Sequence, residues 1–168
     1  MKKYTPLKYA ILILILFAID QVTKTLVQNA NAHFAIIEDV LRVDYTLNDG
    51  LVFGFFSGVT ATHTLLLALF AVVALSIFTY LLLKTDFKDP RTKWYAIGLS
   101  LLIAGTLGNS YDRLFRDGHQ VVDFINFIAF PNVWYFPFNF ADVFLNVGLG
   151  FFFIDVFFLE KKRVVKHG

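Results

Sequence analysis

The sequence predicts an all-α membrane domain with four transmembrane helices and a small, cradle-like extracytoplasmic β segment. Three observations predict it. The 168 residues are 57% hydrophobic, above the roughly 45–50% of soluble domains, and mean hydropathy is +0.63. Four apolar runs approach the length of about 20 residues that crosses a hydrocarbon core. Clusters of Lys and Arg flank those runs on alternate connections.

The runs span about 7–27, 60–83, 94–111 and 140–159, within a single integral membrane domain covering 1–168. The first is interrupted late by Asp20 and Lys24, and the second is the cleanest. Lys2, Lys3 and Lys8 precede the first run. Lys84, Lys88, Arg91 and Lys93 fill the link between the second and third, and Lys161, Lys162, Arg163 and Lys166 follow the fourth. Cytoplasmic loops carry the excess of Lys and Arg, so both termini are expected in the cytoplasm. The connections at about 28–59 and 112–139 then face outward. Ala30 to Ala32 superficially resembles a signal-peptide cleavage site, but Asp20 and Lys24 separate it too far from the apolar run.

In the first outer connection, Leu41, Val43, Tyr45 and Leu47 alternate with Arg42, Asp44 and Thr46, the period of a half-buried strand. Asn48 to Gly50 reads as a turn, and Leu51 to Phe56 as a returning strand. The stretch from Asn29 to Asp39 is expected along the membrane surface.

Composition narrows the chemistry. The absence of cysteine excludes disulfides, thiolate metal sites and a Cys nucleophile. The formal charge of +2 says little about partners, and no basic stripe with interleaved aromatics points to nucleic acid. Most of the 21 Phe residues belong in lipid-facing or helix-packing positions.

The polar residues inside the apolar runs carry the functional signal, because an ionisable group there is costly and usually marks function. Asp20, Thr23 and Lys24 share one face of the first helix at i, i+3 and i+4. Asn109, Asp112 and Arg113 repeat that spacing at the outer end of the third. Asn139, Asp142 and Asn146 open the fourth. Three stripes therefore converge on one outer region.

Each has a structural role to weigh. Asp112 and Arg113 pair with other charges at a helix end. Lys24 snorkels to the interface or neutralises a carboxylate such as Asp20. Asn109 and Asn139 bridge helices. Asp155 lies about 20 Å along the helix from Asp142, near the inner face, and His63 and His119 are interfacial.

Asp123 and Asp142 differ. Asp123 sits in an apolar run, Val121 to Ile125, and Asp142 in the first turn of the fourth helix. Two carboxylates in a low-dielectric site share a proton, because both cannot ionise cheaply. Such a pair supplies a general base and a general acid, so a water held between them can attack a peptide carbonyl. The alternative is a divalent metal site, but no His or third carboxylate is obviously placed beside the pair.

At these residues the chain resembles the lipoprotein signal peptidases, or signal peptidase II. Asp20 to Lys24 is similar to the family's D-x-x-[ST]-K. Asn48 to Gly54 is similar to N-x-G-x-A-F-[GS]. Gly108 to Arg113 with Val121 to Phe124 is similar to G-N-x-x-D-R and V-V-D-F, and Phe138 to Asp142 to F-N-x-A-D. Their order over most of the chain makes the resemblance specific. It implies a monomeric aspartyl endopeptidase of the bacterial inner membrane, its site near the outer leaflet, with neither cofactor nor metal. The substrate would be a diacylglyceryl-modified prolipoprotein, cut just before the lipidated cysteine. The catalytic aspartates of the family match Asp123 and Asp142, and its supporting residues match Asp20, Lys24, Asn48, Gly54, Asn109, Asp112, Arg113, Asn139 and Ala141.

The chain departs from the family at Val52, where Ala is usual, at Ala104, where a glycine is usual, and at Val143, where small or hydroxylated residues are frequent. The stretch from Asp112 to Asp123 is two residues longer than usual, and Tyr135 to Pro137 fits only with a substitution or deletion. Two other readings stand beside the peptidase: an inactive binder of lipidated signal peptides, and a small transporter. A transporter's carboxylates would recur along a path through the membrane, whereas these crowd at one face. A serine intramembrane protease lacks its Gly-x-Ser-Gly motif.

Overall fold

A computed structural model describes residues 5–48, 61–129 and 136–159. Four long helices carry a three-stranded sheet: α1 (Thr5–Ala30), β1 (His33–Ile37), β2 (Leu41–Asn48), α2 (Ala61–Lys84), α3 (Lys93–Phe115), β3 (Val121–Phe127) and α4 (Phe140–Ile154). A π-helical turn, Asp155–Leu159, extends α4. The expected turn at 49–50 and returning strand at 51–56 lie outside the described residues.

The helix order follows from composition. Three segments, Pro6–Ala30, Leu66–Lys84 and Phe140–Leu159, are long and apolar enough to cross a membrane. Their large apolar side chains point outward, including Leu14, Leu26, Leu69, Phe70 and Phe158, a distribution opposite to that of a water-soluble surface. The reading from sequence also placed a span at 94–111. Those residues are helical, yet α3 is not among the three segments. Gly98, Ser100, Gly105, Gly108 and Asn109 dilute its apolarity, because α3 is the inner helix and packs on α1, α2 and α4.

Small residues set that packing. A Cβ on Gly105 would sit 2.5 Å from the Ala141 carbonyl oxygen, and one on Gly148 would sit 2.8 Å from that of Gly98. α3 and α4 therefore meet backbone to backbone. Ala104, the departure noted above, is fully buried and leaves these contacts in place. Tyr9, Leu82, Ala96, Leu99, Leu102 and Ile103 form the main apolar core.

The sheet is antiparallel in the order β1-β2-β3. β2 forms where alternation predicted it. β1 occupies the stretch expected only to line the membrane surface, pairing His33 with Asp44 and Phe34 with Val43. β3 pairs Asp123 with Thr46 across a register shift. Between Asp112 and Asp123 lies a tight turn, Asp117–His119, where Gly118 and His119 both adopt positive φ. The His119 ring there lies 2.9 Å from the Arg113 carbonyl at the end of α3.

One further pairing positions the site. The Phe138 N–H donates to the Ile125 carbonyl at 3.0 Å, and the Ile125 N–H to that of Phe138 at 2.8 Å. This ties β3 to the segment entering α4. Asp123, two residues before the bridge, is thereby set against Asn139, one residue after it.

Candidate active site

Asn139 is the hinge of the arrangement. It caps α4 in a capping box: its side-chain oxygen accepts from the Asp142 N–H at 3.1 Å. Its own N–H donates to the Asp142 carboxylate at 3.1 Å. Such reciprocal caps satisfy two otherwise orphaned helix N–H groups. The Asn139 amide then donates to Asp123 Oδ1 at 2.6 Å and to Asn109 Oδ1 at 3.1 Å. One side chain thus joins the two aspartates.

Each carboxylate has a second amide partner. Asn48, at the end of β2, donates to Asp123 Oδ2 at 2.7 Å. Asn109, on α3, donates to Asp142 Oδ1 at 2.8 Å. Both aspartates line a cavity of about 750 Å³ between β2, α2, α3 and α4. Asp123 is only 1% exposed, whereas Asp142 is half-buried. Burial pushes the Asp123 carboxyl up to about 7, and the facing charge of Asp142 adds to the effect, against donation from Asn48 and Asn139. Arg113 also lines this cavity, where its charge faces Asp142, Asp123 and Asp112.

Behind the aspartates lies a buried charge cluster. The Lys24 ammonium sits 2.9 Å from Asp20, 2.8 Å from Asp112 and 3.0 Å from Asn109 Oδ1. Lys24 is fully buried, so the snorkelling alternative is overturned: it neutralises carboxylates instead. Asp20 also accepts the Ala141 N–H at 2.9 Å, an otherwise unpaired donor in the first turn of α4. Ala141 is small for a reason, because its Cβ already lies 3.1 Å from where a Gly108 Cβ would be. The cluster therefore fixes α1, α3 and α4 relative to one another, and holds Asn109 for Asp142.

The structure thus brings together Asp20, Lys24, Asn48, Asn109, Asp112, Asn139, Ala141, Asp123 and Asp142, with Arg113 at the cavity wall. Gly54 lies outside the described residues. Asp155 is buried in the π-helical turn, away from this group, as its spacing indicated.

Sequence reasoning missed two residues. Arg116 donates to Asp112 at 2.6 Å, and Gln21 reaches Asp20 at 3.0 Å, the Gly108 carbonyl at 3.1 Å and Asp112 at 3.2 Å. The i, i+4 spacing of Asp112 and Arg116 was a readable signal. Gln21 carried none, because neutral amides are common at helix interfaces.

Comparison with known proteins places the chain in a family. The profile of the signal peptidase (SPase) II family matches residues 12–158. A lipoprotein signal peptidase of Fusobacterium nucleatum is 33% identical over 160 residues, covering 93% of this chain and 90% of that protein. One from Pseudomonas paraeruginosa is 35% identical over 158 residues, covering 92% and 90%. A bacterial membrane enzyme solved in meso at 2.3 Å resolution superimposes with a TM-score of 0.76 at 26% identity, over 89% of this chain and 87% of that one. The chain belongs to the signal peptidase II family and is a peptidase.

Proposed function

We propose that this protein removes the signal peptide from prolipoproteins by hydrolysing the peptide bond before a diacylglyceryl-modified cysteine, with Asp123 and Asp142 activating the water. The observation that carries the reading is the Asn139 bridge, which holds both carboxylates on the wall of one cavity. In this mechanism one carboxylate is protonated and the other ionised. The ionised carboxylate takes a proton from water as its oxygen attacks the scissile carbonyl carbon, and the protonated one donates to the carbonyl oxygen. Collapse then breaks the C–N bond and the cysteine amine takes up a proton. No covalent enzyme intermediate forms.

In this reading α3 is the fourth span, shielded from lipid by its three neighbours, and the domain is a single unit in the bacterial inner membrane. Its 23 residues reach about 34 Å at 1.5 Å per residue. Both termini are cytoplasmic, as the Lys and Arg distribution requires. The aspartates then lie near the outer leaflet, where a lipid-anchored cysteine presents its bond. The enzyme works as a monomer, since one chain supplies every group named. The test is cleavage by the purified chain in detergent of a prolipoprotein with and without its diacylglyceryl group. The expected product begins at the lipidated cysteine by mass, and only the lipidated substrate is cut efficiently. A chain that binds but never cuts supports an inactive binder instead.

A further inference from the structure

The cavity has two unlike walls. On α2 it is lined by Leu67, Phe70, Ala71 and Ala74; on α3 and α4 it carries Thr106, Ser110 and Asn146 beside the apolar Val143, Leu145 and Val147. The α2 side suits acyl chains. The opposite side mixes polar with apolar groups, and a polar group facing hydrocarbon without a partner is costly.

All three line the cavity, Ser110 next to Asn109 at the level of the aspartates and Thr106 and Asn146 deeper. Thr106 is three residues inward of Asn109, and Asn146 is four residues inward of Asp142. At 1.5 Å per residue they lie about 4.5 and about 6 Å deeper along their helices, and Asn109 and Asp142 are themselves hydrogen-bonded. Each of the three spends one donor on its own helix: Thr106 to the Leu102 carbonyl, Ser110 to that of Thr106, and Asn146 to that of Asp142. The hydroxyl lone pairs, the Asn146 carbonyl and its second N–H have no partner among the described residues. An Asn amide offers two donors and two lone pairs, so the patch both donates and accepts.

We infer that Asn146, with Thr106, is a specificity-determining patch for a hydroxyl- or amide-bearing side chain on the signal peptide, at the second residue before the lipidated cysteine. This rests on the proposed function. The depth sets the position: about 6 Å corresponds to about two residues of extended chain at roughly 3.3 Å each. The peptide upstream of the cut runs into the membrane, past Asp142 towards Asn146, while the acyl chains take the α2 side.

The test uses the full-length chain and two diacylglyceryl-modified prolipoproteins differing only at that residue, Thr against the isosteric Val. The readout is the Thr/Val ratio of kcat/KM, so a general loss of folded enzyme cancels. Wild type favours Thr, and Asn146→Leu lowers the ratio by about three- to tenfold, the worth of one neutral hydrogen bond. Thr106→Val, which removes only the α3 hydroxyl, lowers it in the same direction and carries the test should Asn146→Leu not fold. A wild-type ratio near one, or a ratio unmoved in both variants, overturns the patch while leaving the peptidase standing. If wild type cuts neither substrate, the proposed function falls, and this inference with it.

Discussion

Lys24→Met is expected to destabilise the protein strongly, although Lys24 is not one of the catalytic aspartates. The ammonium it removes lies 2.9 Å from Asp20 and 2.8 Å from Asp112, with all three side chains fully buried. Asp112 keeps Arg116 at 2.6 Å. Asp20 keeps only neutral donors, Gln21 at 3.0 Å and the Ala141 N–H at 2.9 Å, so it is the carboxylate left without a cation. Removing one partner of a buried pair costs about 3–5 kcal/mol, and Lys24→Met belongs in that range. Asp20→Asn in the same chain removes the stranded charge and keeps an oxygen for Ala141. The double variant is therefore more stable than the sum of the single effects by about 1–3 kcal/mol, as for contacting residues. Equilibrium unfolding in detergent micelles measures all three variants. A Lys24→Met cost below about 1 kcal/mol, or strictly additive effects, would refute the reasoning.

Other predictions follow from the same contacts. With the Asp123 carboxyl pushed up to about 7, activity that needs its proton declines as pH rises through that value. Asn48→Ala removes a donor that favours the carboxylate, so this alkaline limb of the pH–rate profile moves to higher pH. Since the folded-state value is raised above 3.8, the Asp123 contribution to stability is full below about 3.8 and lost as pH rises through about 7. Melting curves of Asp123→Asn should lack that slope. Asn139→Ala loses the α4 cap, costing about 1–2 kcal/mol, and loosens both aspartates, so kcat falls by about a hundredfold as expected for misplaced groups. Gly105→Ala, facing the Ala141 carbonyl oxygen at 2.5 Å, costs about 1–3 kcal/mol in overpacking. Gly150→Ala has nothing within 4 Å and gains up to about 1 kcal/mol in helix propensity; paired unfolding curves separate the two.

The helices were legible because each apolar run is long and is bounded by charge. Their ends were less so. α1 continues to Ala30 although apolar residues thin out after Ile19, because Lys24 finds partners on α3, Asp20 on α4 and Gln28 at Arg116 just beyond α3. β2 was readable from alternation, since one of its faces is covered. β1 was not: its large residues are exposed on both sides, so no period of two appears. β3 was hidden for the opposite reason, with Val121 to Phe124 all buried. The convergence of polar stripes was visible in the i, i+3, i+4 spacing. What brings Asp123 to Asp142 is the backbone bridge between Ile125 and Phe138, and no side-chain pattern announces such a bridge. Asn146 was seen as part of a stripe, but which wall of the cavity it faces required the packing of α3 on α4.

The most direct test of the aspartate pair compares single-turnover cleavage of a diacylglyceryl-modified prolipoprotein by wild type, Asp123→Asn and Asp142→Asn, each with a cooperative melting transition showing it is folded. The account predicts a loss of at least about a hundredfold in either variant, as for removal of a general acid–base group, with substrate binding kept within a few-fold. A folded Asp123→Asn or Asp142→Asn that cleaves within about threefold of wild type would contradict it.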